Sequence, residues 1–291
     1  MKQFIPAELK GKKALVIGAG RSGLACANLL AARGFQVLLS DSKPFAQLKE
    51  RLKGLNRKVE LETGGHTAKT LRCGFAVKSP GLPHSNPLIL KLKKNRIPVF
   101  SEIETALAFS RTPELLAVTG TNGKTTTTVL LGRIMDRALR ARGGRARVCG
   151  NVGTPAAAII MIAGPRDAIV MEVSSYQLED SSFIRPRTAC VLNITPDHLD
   201  HHGTMASYIK AKTKIFRGQA ASDSCVFNAD DLRCRRAAAA CGSKVLFFSS
   251  SKKGGSLNAW VEEGAKEQKS KGAKIILKWN GKKTALTPPG L

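Results

Sequence analysis

Short runs of about five apolar residues recur along the chain, each closed by glycine, proline or a small polar residue. Segments with apolar positions three or four apart follow many of them. A short, continuously apolar run reads as a strand buried on both faces, and the spaced pattern reads as an amphipathic helix. The pattern predicts a strand over 13–17, a helix over 24–33 closed by Gly34, and a strand over 35–39 with Asp41 at its end. Further on it predicts a strand over 75–77, the rigid turn Ser79-Pro80-Gly81-Leu82-Pro83, a helix over 87–94 and a strand over 97–100. Ser101 then caps a helix over 102–109, with Glu104 at the capping-box position.

Arg111-Thr112-Pro113 reads as a boundary, giving one unit over 1–110 and a second over 111–291. The second unit has strands at 115–118, 168–173, 189–192, 224–227 and 244–248, with helices between them. Alternation of this kind is expected of α/β folds with parallel sheets. Ser249 to Gly255 reads as an exposed Ser/Lys/Gly loop.

Length and composition narrow the classes. The 291 residues suit two domains, each with its own core. No apolar run approaches the ~18 residues of a membrane span, and Met1-Lys2-Gln3-Phe4-Ile5-Pro6 has no signal-peptide core. Seven scattered cysteines without a Cys-x-x-Cys pair fit a reducing compartment and neither a disulfide frame nor a zinc site. The cytoplasm is the expected location. The net charge of +26 invites a nucleic-acid reading. It is spread over both halves, however, and its densest clusters, 133–147 and 266–283, hold almost no aromatic residues for base stacking. A nucleic-acid partner is therefore not expected.

Candidate chemistry sits where strands meet loops. Leu116-Ala117-Val118-Thr119-Gly120-Thr121-Asn122-Gly123-Lys124-Thr125-Thr126 runs from an apolar strand into a helical pattern reaching about Ala141. Such a turn offers backbone N–H groups to phosphate, Lys124 adds charge, and the Thr125 hydroxyl suits magnesium. Position 118 of the general phosphate-loop pattern is Val118, so only the G-x-x-G-K-T portion is present. Gly18-Ala19-Gly20-Arg21-Ser22-Gly23 is a G-x-G-x-x-G turn, equally compatible with a dinucleotide site and with helix-on-strand packing. Gly150-Asn151-Val152-Gly153 is a flexible turn carrying an amide. Glu172-Val173-Ser174-Ser175-Tyr176-Gln177-Leu178-Glu179 puts a carboxylate at a strand end. Asn193-Ile194-Thr195-Pro196-Asp197-His198-Leu199-Asp200-His201-His202 is dense in metal-capable groups, although its histidines also suit a surface. Lys210, Lys212 and Lys214 then fall on a basic helix whose bland reading is an exposed face. The hydroxyl and carboxylate donors favour magnesium over zinc.

The joint order of these motifs resembles the Mur ligases, ATP-dependent amino-acid-adding enzymes of peptidoglycan synthesis. The 18–23 turn, the 79–83 turn and the 172–179 segment resemble the D-glutamate-adding members in particular. The resemblance implies an N-terminal Rossmann-like domain with a parallel sheet, followed by a P-loop ATPase-type α/β central domain. It implies that Gly20, Arg21, Ser22, Gly23, Asp41, Ser42, Lys43, Ser79 and Gly81 hold UDP-N-acetylmuramoyl-L-alanine, with Asn151, Ser174 and Gln177 near its alanyl end or the phosphates. Family members commonly have arginine where this chain has Lys43.

For ATP it implies Gly120, Thr121, Asn122, Gly123, Lys124, Thr125, Thr126 and Asn228. Lys124, Glu172, His198 and Lys212 would be the catalytic set. Magnesium would be held by Thr125, Glu172, His198 and a carbamylated Lys212. The implied partners are UDP-N-acetylmuramoyl-L-alanine, D-glutamate and ATP, acting on a monomer. A third, amino-acid-binding domain of the family does not appear before Thr287-Pro288-Pro289-Gly290-Leu291. The expectation is therefore a truncated chain, inactive alone in amide formation. Another Mur ligase or a folylpolyglutamate synthase-like ligase is the alternative within the superfamily. A nicotinamide-dependent oxidoreductase would leave Lys124, Glu172, His198 and Lys212 unexplained, and a basic nucleic-acid-binding module would make the phosphate loop a coincidence.

Overall fold

The computed structural model describes residues 6–151, 153–251, 254, 256–262, 274–279 and 282–286. Val152, parts of the 249–255 loop and of the 266–283 cluster, residues 1–5 and residues 287–291 lie outside the described residues. Two sheets organise the chain. The first contains β1 (Ala14–Ile17), β2 (Val37–Asp41), β3 (Val59–Thr63), β4 (Phe75–Lys78) and β5 (Val99–Ser101), in the order β3-β2-β1-β4-β5. All its neighbours are parallel.

The second contains β6 (Glu114–Thr119), β7 (Ala146–Gly150), β8 (Ala168–Glu172), β9 (Thr188–Val191), β10 (Ser224–Asn228), β11 (Lys244–Ser249), β12 (Ala259–Glu262), β13 (Lys274–Trp279) and β14 (Lys282–Leu286). Their order is β14-β13-β12-β11-β10-β9-β6-β8-β7. Pairing is parallel from β7 through to β12, and antiparallel from β12 to β14. The inner strands β1 and β8 are buried along their length, which is why their sequences read as unbroken apolar runs. Among the described residues, no helix is long and apolar enough to cross a membrane.

Some elements escape the apolar pattern for a physical reason. β7 is an edge strand whose sequence, Ala-Arg-Val-Cys-Gly, buries fully only Cys149; Gly150, read from sequence as part of a flexible turn, is its last residue. The helix Phe45–Leu52 buries only Leu48 and Leu52. Ser249 is not part of an exposed loop. It ends β11, buried, and donates to Asp230 Oδ1 at 2.6 Å, while the backbone N–H of Ser250 donates to Oδ2 at 2.8 Å.

The G-x-G-x-x-G turn is a packing device as well as a loop. Gly18 has φ +93, and a Cβ built on Gly23 would lie 1.8 Å from the Gly18 carbonyl oxygen. Gly23 therefore lets the helix Arg21–Ala32 settle onto the end of β1. Gly23→Ala is expected to destabilise the chain by about 1–3 kcal/mol, the usual cost of overpacking. A lowered urea midpoint at unchanged slope would show it.

Buried polar contacts fix the two sheets relative to each other. The Lys78 ammonium pairs with Asp180 at 2.6 Å, both nearly solvent-free. Ser101 and Ser181 share a hydroxyl hydrogen bond of 2.8 Å, and the Ser182 N–H donates to Glu104 Oε2 at 3.0 Å. Glu102, 2% exposed, accepts the N–H of Ala157 at 2.8 Å in the first turn of the helix Ala156–Ile162. Burial raises the Glu102 carboxyl to about 7 against the pull of that bond. The carboxyl ends of β1 and β4 thus face the loop after β7 across one cleft.

Candidate active site

β6 is flanked by β8 and β9, so its carboxyl end opens at the middle of the second sheet. In open α/β sheets this is where ligands bind. Gly120 (φ +159) and Gly123 (φ +81) turn the chain into the helix Lys124–Arg140. The loop is gripped from outside by Asn193, whose backbone oxygen accepts from Thr121 N at 3.0 Å and whose Oδ1 accepts from Asn122 N at 2.8 Å. Its Nδ2 returns a bond to the Asn122 carbonyl at 3.1 Å. Thr121 Oγ1 lies 3.1 Å from the Tyr208 hydroxyl and accepts from Thr195 N at 3.0 Å. Thr121 is therefore a buried strut of the loop, whereas Asn122, Gly123, Thr125 and Thr126 are exposed.

Lys124 folds back over its own loop, donating to the carbonyls of Gly120 at 3.0 Å and Thr121 at 2.7 Å. Thr125 Oγ1 donates to Glu172 Oε2 at 2.8 Å, and Asn151 Nδ2 donates to Glu172 Oε1 at 3.0 Å. Glu172, at the end of β8, is 2% exposed. It joins the phosphate-loop helix to the loop after β7. Gly150 makes that junction possible: it has φ +116, and a Cβ there would lie 2.0 Å from the Glu172 carbonyl.

Lys212 sits in the core of the helix Met205–Arg217, 1% exposed. Its Nζ donates to the Gly120 carbonyl at 2.7 Å and lies 4.6 Å from the centre of the Tyr208 ring. Burial first, and then the charge of Lys124, pull its pKa down to about 7, against the opposing influence of Asp197 and Cys234. A large fraction of the amine is therefore unprotonated near neutral pH. The exposed-face reading fails for this residue. Only Lys210 is exposed, and the half-buried Lys214 donates to the Glu179 carbonyl at 2.5 Å. The buried residues Tyr208, Ala211, Lys212 and Ile215 form an i, i+3, i+4, i+7 stripe, a signal that was present in the sequence.

A pocket of about 280 Å³ is lined by Lys124, Asn151, Ser174, Ser175, Tyr176, His198, Tyr208 and Lys212. It gathers residues from four separate strand ends. His198 (φ +52) caps the short helix Leu199–His202 in a left-handed conformation, half exposed, with Nε2 3.5 Å from Asp197. His201 and His202 are not surface histidines. The first is bound to Glu179, and the second is buried against Ser175.

A second cleft, of about 450 Å³, is lined by Gly20, Arg21, Ser22, Arg51, Ser79, Pro80, Gly81, Gly150, Asn151, Gly153, Pro155 and Gln177. It runs between the two sheets, and the Arg21 guanidinium donates across it to the Gly153 carbonyl. Arg51 and Pro155 had no motif to mark them, whereas Gly153 closes the turn read from sequence over 150–153. Gln177 is held by a capping box in which its Oε1 accepts from Ser174 N at 3.1 Å. Asn151 lines both cavities.

Not every expected residue gathers there. Gly23 is buried in the packing contact described above, and Ser174 lines the smaller pocket. Asp41, Ser42 and Lys43 do not line the cleft. Asp41 spends its carboxylate on the backbone, accepting from Ala19 N at 2.6 Å and Lys43 N at 2.8 Å. That bond places an anion on a turn amide, which disfavours a pyrophosphate at that amide. Asn228, at the end of β10, donates to the Leu192 carbonyl at 3.0 Å.

The donor set fits magnesium. Thr125 and Glu172 offer hard oxygens already within hydrogen-bond distance of each other. Lys212 as an ammonium could not be a ligand, but a neutral amine can add carbon dioxide and become an oxygen donor.

Comparison with known proteins agrees with this geometry. Residues 118–289 match the Mur ligase middle domain, and residues 12–101 match the Mur ligase MurD-like N-terminal domain. The UDP-N-acetylmuramoylalanine--D-glutamate ligase of Elusimicrobium minutum is 48% identical over 250 residues, covering 84% of this chain and 54% of that protein. The enzyme of the same name from Clostridioides difficile is 39% identical, covering 84% and 54%. The chain spans about half the length of the curated relatives it matches. Among solved structures, UDP-N-acetylmuramate:L-alanyl-gamma-D-glutamyl-meso-diaminopimelate ligase from Neisseria meningitides superposes with a TM-score of 0.61 at 18% identity, covering 95% of this chain and 87% of that one. UDP-N-acetylmuramate-alanine ligase from Thermotoga maritima gives 0.54 at 21% identity, covering 96% and 61%. These structural likenesses speak for the fold: a Rossmann-like sheet followed by a P-loop ATPase-type sheet. With the family match spanning more than half of its length and the phosphate loop in place, this chain belongs to the Mur ligase family.

Proposed function

We propose that the chain carries the UDP-substrate and ATP sites of a UDP-N-acetylmuramoylalanine–D-glutamate ligase. Residues 1–110 would form the substrate-binding domain and residues 111–291 the ATP-binding domain. The observation that carries this reading is Asn151, which lines both the inter-sheet cleft and the Lys124–Lys212 pocket. A nucleotide sugar in the cleft could reach toward a phosphate held at the loop, as the joining of two substrates requires. Both sites are built from one chain, so a monomer suffices, and the water-soluble substrates fit work in the cytoplasm.

The reaction is activation of a carboxylate. The L-alanyl carboxylate attacks the γ-phosphorus of ATP, releasing ADP and leaving an acyl phosphate. The amine of D-glutamate then displaces phosphate to form the amide. Two anions must approach each other, so the site's work is electrostatic. Lys124 would move from its loop carbonyls to the β- and γ-phosphates, while the loop N–H groups of Gly123 to Thr126 cradle them. Magnesium, held by Thr125 and Glu172 and, at a second position, by His198 and carbamylated Lys212, would offset the phosphate charge. Arg21, Ser22, Ser79 and Gly81 would hold the UDP end, and Gln177 would orient the muramoyl-alanyl end.

Titration calorimetry with UDP-N-acetylmuramoyl-L-alanine tests the reading, with NADH and a random DNA duplex as controls. One-to-one binding of the sugar alone is expected. Arg21→Ala should weaken it about tenfold, the loss of one charge-assisted contact. Silence with the sugar together with NADH binding would favour an oxidoreductase, and salt-sensitive DNA binding would favour a basic module.

A further inference from the structure

Beside the nucleotide pocket lies a cluster that the proposed reaction does not use. Glu179 lies in the last turn of the helix Ser175–Asp180, and His201 and His202 close the helix Leu199–His202. Their ligand atoms lie within 4.8 Å of one another. His201 Nε2 meets Glu179 Oε2 at 2.7 Å, and His202 Nε2 meets Ser175 Oγ at 3.0 Å. The Tyr176 ring packs at 4.3 Å from the His201 ring and 5.7 Å from the His202 ring, closing one side.

We propose that Glu179, His201 and His202 form a site for a divalent cation of the zinc class, separate from the magnesium ligands. Two imidazoles and one carboxylate are a three-ligand zinc set that leaves a fourth position for water. Magnesium prefers oxygen donors throughout, so the two neighbouring sites sort ions by softness. The inference does not depend on the ligase reading.

The geometry needs little change. Ligands at zinc distances stand roughly 3.4 Å apart in a tetrahedron, so the present cluster closes by side-chain rotation. His201 gives up its hydrogen bond to Glu179, and the proton on its Nε2 moves to Nδ1 or leaves to solvent. Ser175 Oγ, released from His202 Nε2, is placed to accept a bond from the metal-bound water. The Lys214 ammonium, bonded to the Glu179 carbonyl at 2.5 Å, opposes a cation there, as does Lys212 on the His202 side when protonated. Asp197 and Asp200, in and just before the same short helix, act in the other direction.

The test titrates the chain with zinc in a large excess of magnesium, and repeats it with cobalt(II) followed by visible absorption. One equivalent of zinc, and the visible bands of four- or five-coordinate cobalt without a thiolate charge-transfer band, are expected. His201→Ala and Glu179→Gln should each weaken zinc at least tenfold, while His198→Ala leaves it unchanged. Because Glu179→Gln is close to isosteric, it keeps the test valid if His201→Ala fails to fold. Absent zinc binding would overturn the proposal. So would a thiolate band, or a zinc site lost with His198→Ala and kept in His201→Ala.

Discussion

Replacing Lys124 with alanine is expected to weaken ATP binding about 100-fold, equivalent to roughly 2.7 kcal/mol. The ammonium is already poised over the loop, bonded to the carbonyls of Gly120 and Thr121. A triphosphate would take it from two neutral acceptors to charged ones, and such charge-assisted bonds are about twice as strong. Lys124→Arg should not restore binding, because a planar fork does not fit a space shaped for a point charge. Affinity for UDP-N-acetylmuramoyl-L-alanine should stay within about threefold, since Lys124 lines only the smaller pocket. Displacement of a fluorescent ADP measures both variants. A Lys124→Ala chain that binds ATP within threefold of the parent would remove the phosphate loop from the account.

Lys212→Met should make the ligand-free chain more stable at pH 6, by about 2–4 kcal/mol. The folded protein holds this proton only up to about pH 7, whereas an unfolded lysine keeps it to about 10.4. Between those values the unfolded state binds one more proton, so the parent chain gains stability as pH rises. The handicap is full below about 7 and gone near the unfolded value. The methionine variant lacks that slope, so its advantage should shrink steadily toward pH 10. Denaturant unfolding at several pH values in carbon-dioxide-free buffer reads this out, and parallel pH curves would contradict it. Stability gained by deleting a group indicates that the group is there for another purpose. Here the purpose fits carbamate formation, which needs the unprotonated amine that burial supplies. The same variant should accordingly lose the magnesium dependence of nucleotide binding that His198 and the carbamate would provide.

The parts of this molecule that local rules govern were readable from sequence. The run from Leu115 to Lys124 is apolar strand, glycine turn and helix start in uninterrupted order, and β1, β4 and β8 declare themselves because both their faces are buried. Edge strand β7 did not, since only Cys149 on it is fully buried and Arg147 interrupts its apolar run. The antiparallel strands β12 to β14 lay beyond the parallel alternation that organised the reading. At the site, motif residues at strand ends came together as expected, because a parallel sheet delivers all its carboxyl ends to one edge. Contacts across long stretches of chain were not legible: Asn193 gripping the phosphate loop, Tyr208 bracing Thr121, and Arg21 reaching Gly153. Asp41 makes local contacts that its position in the pattern did not show. A carboxylate after a second strand is a familiar ligand for a nucleotide, yet here its oxygens accept backbone N–H groups.

The central claim is that two anionic substrates meet at Asn151. The direct test is calorimetry with UDP-N-acetylmuramoyl-L-alanine in the absence and presence of saturating magnesium and a non-hydrolysable ATP analogue, for the parent chain and Asn151→Ala. The account predicts that both ligands bind at once, one of each per chain, and that Asn151→Ala weakens both. Mutual exclusion of the two ligands, or an Asn151→Ala chain unchanged toward both, would contradict it.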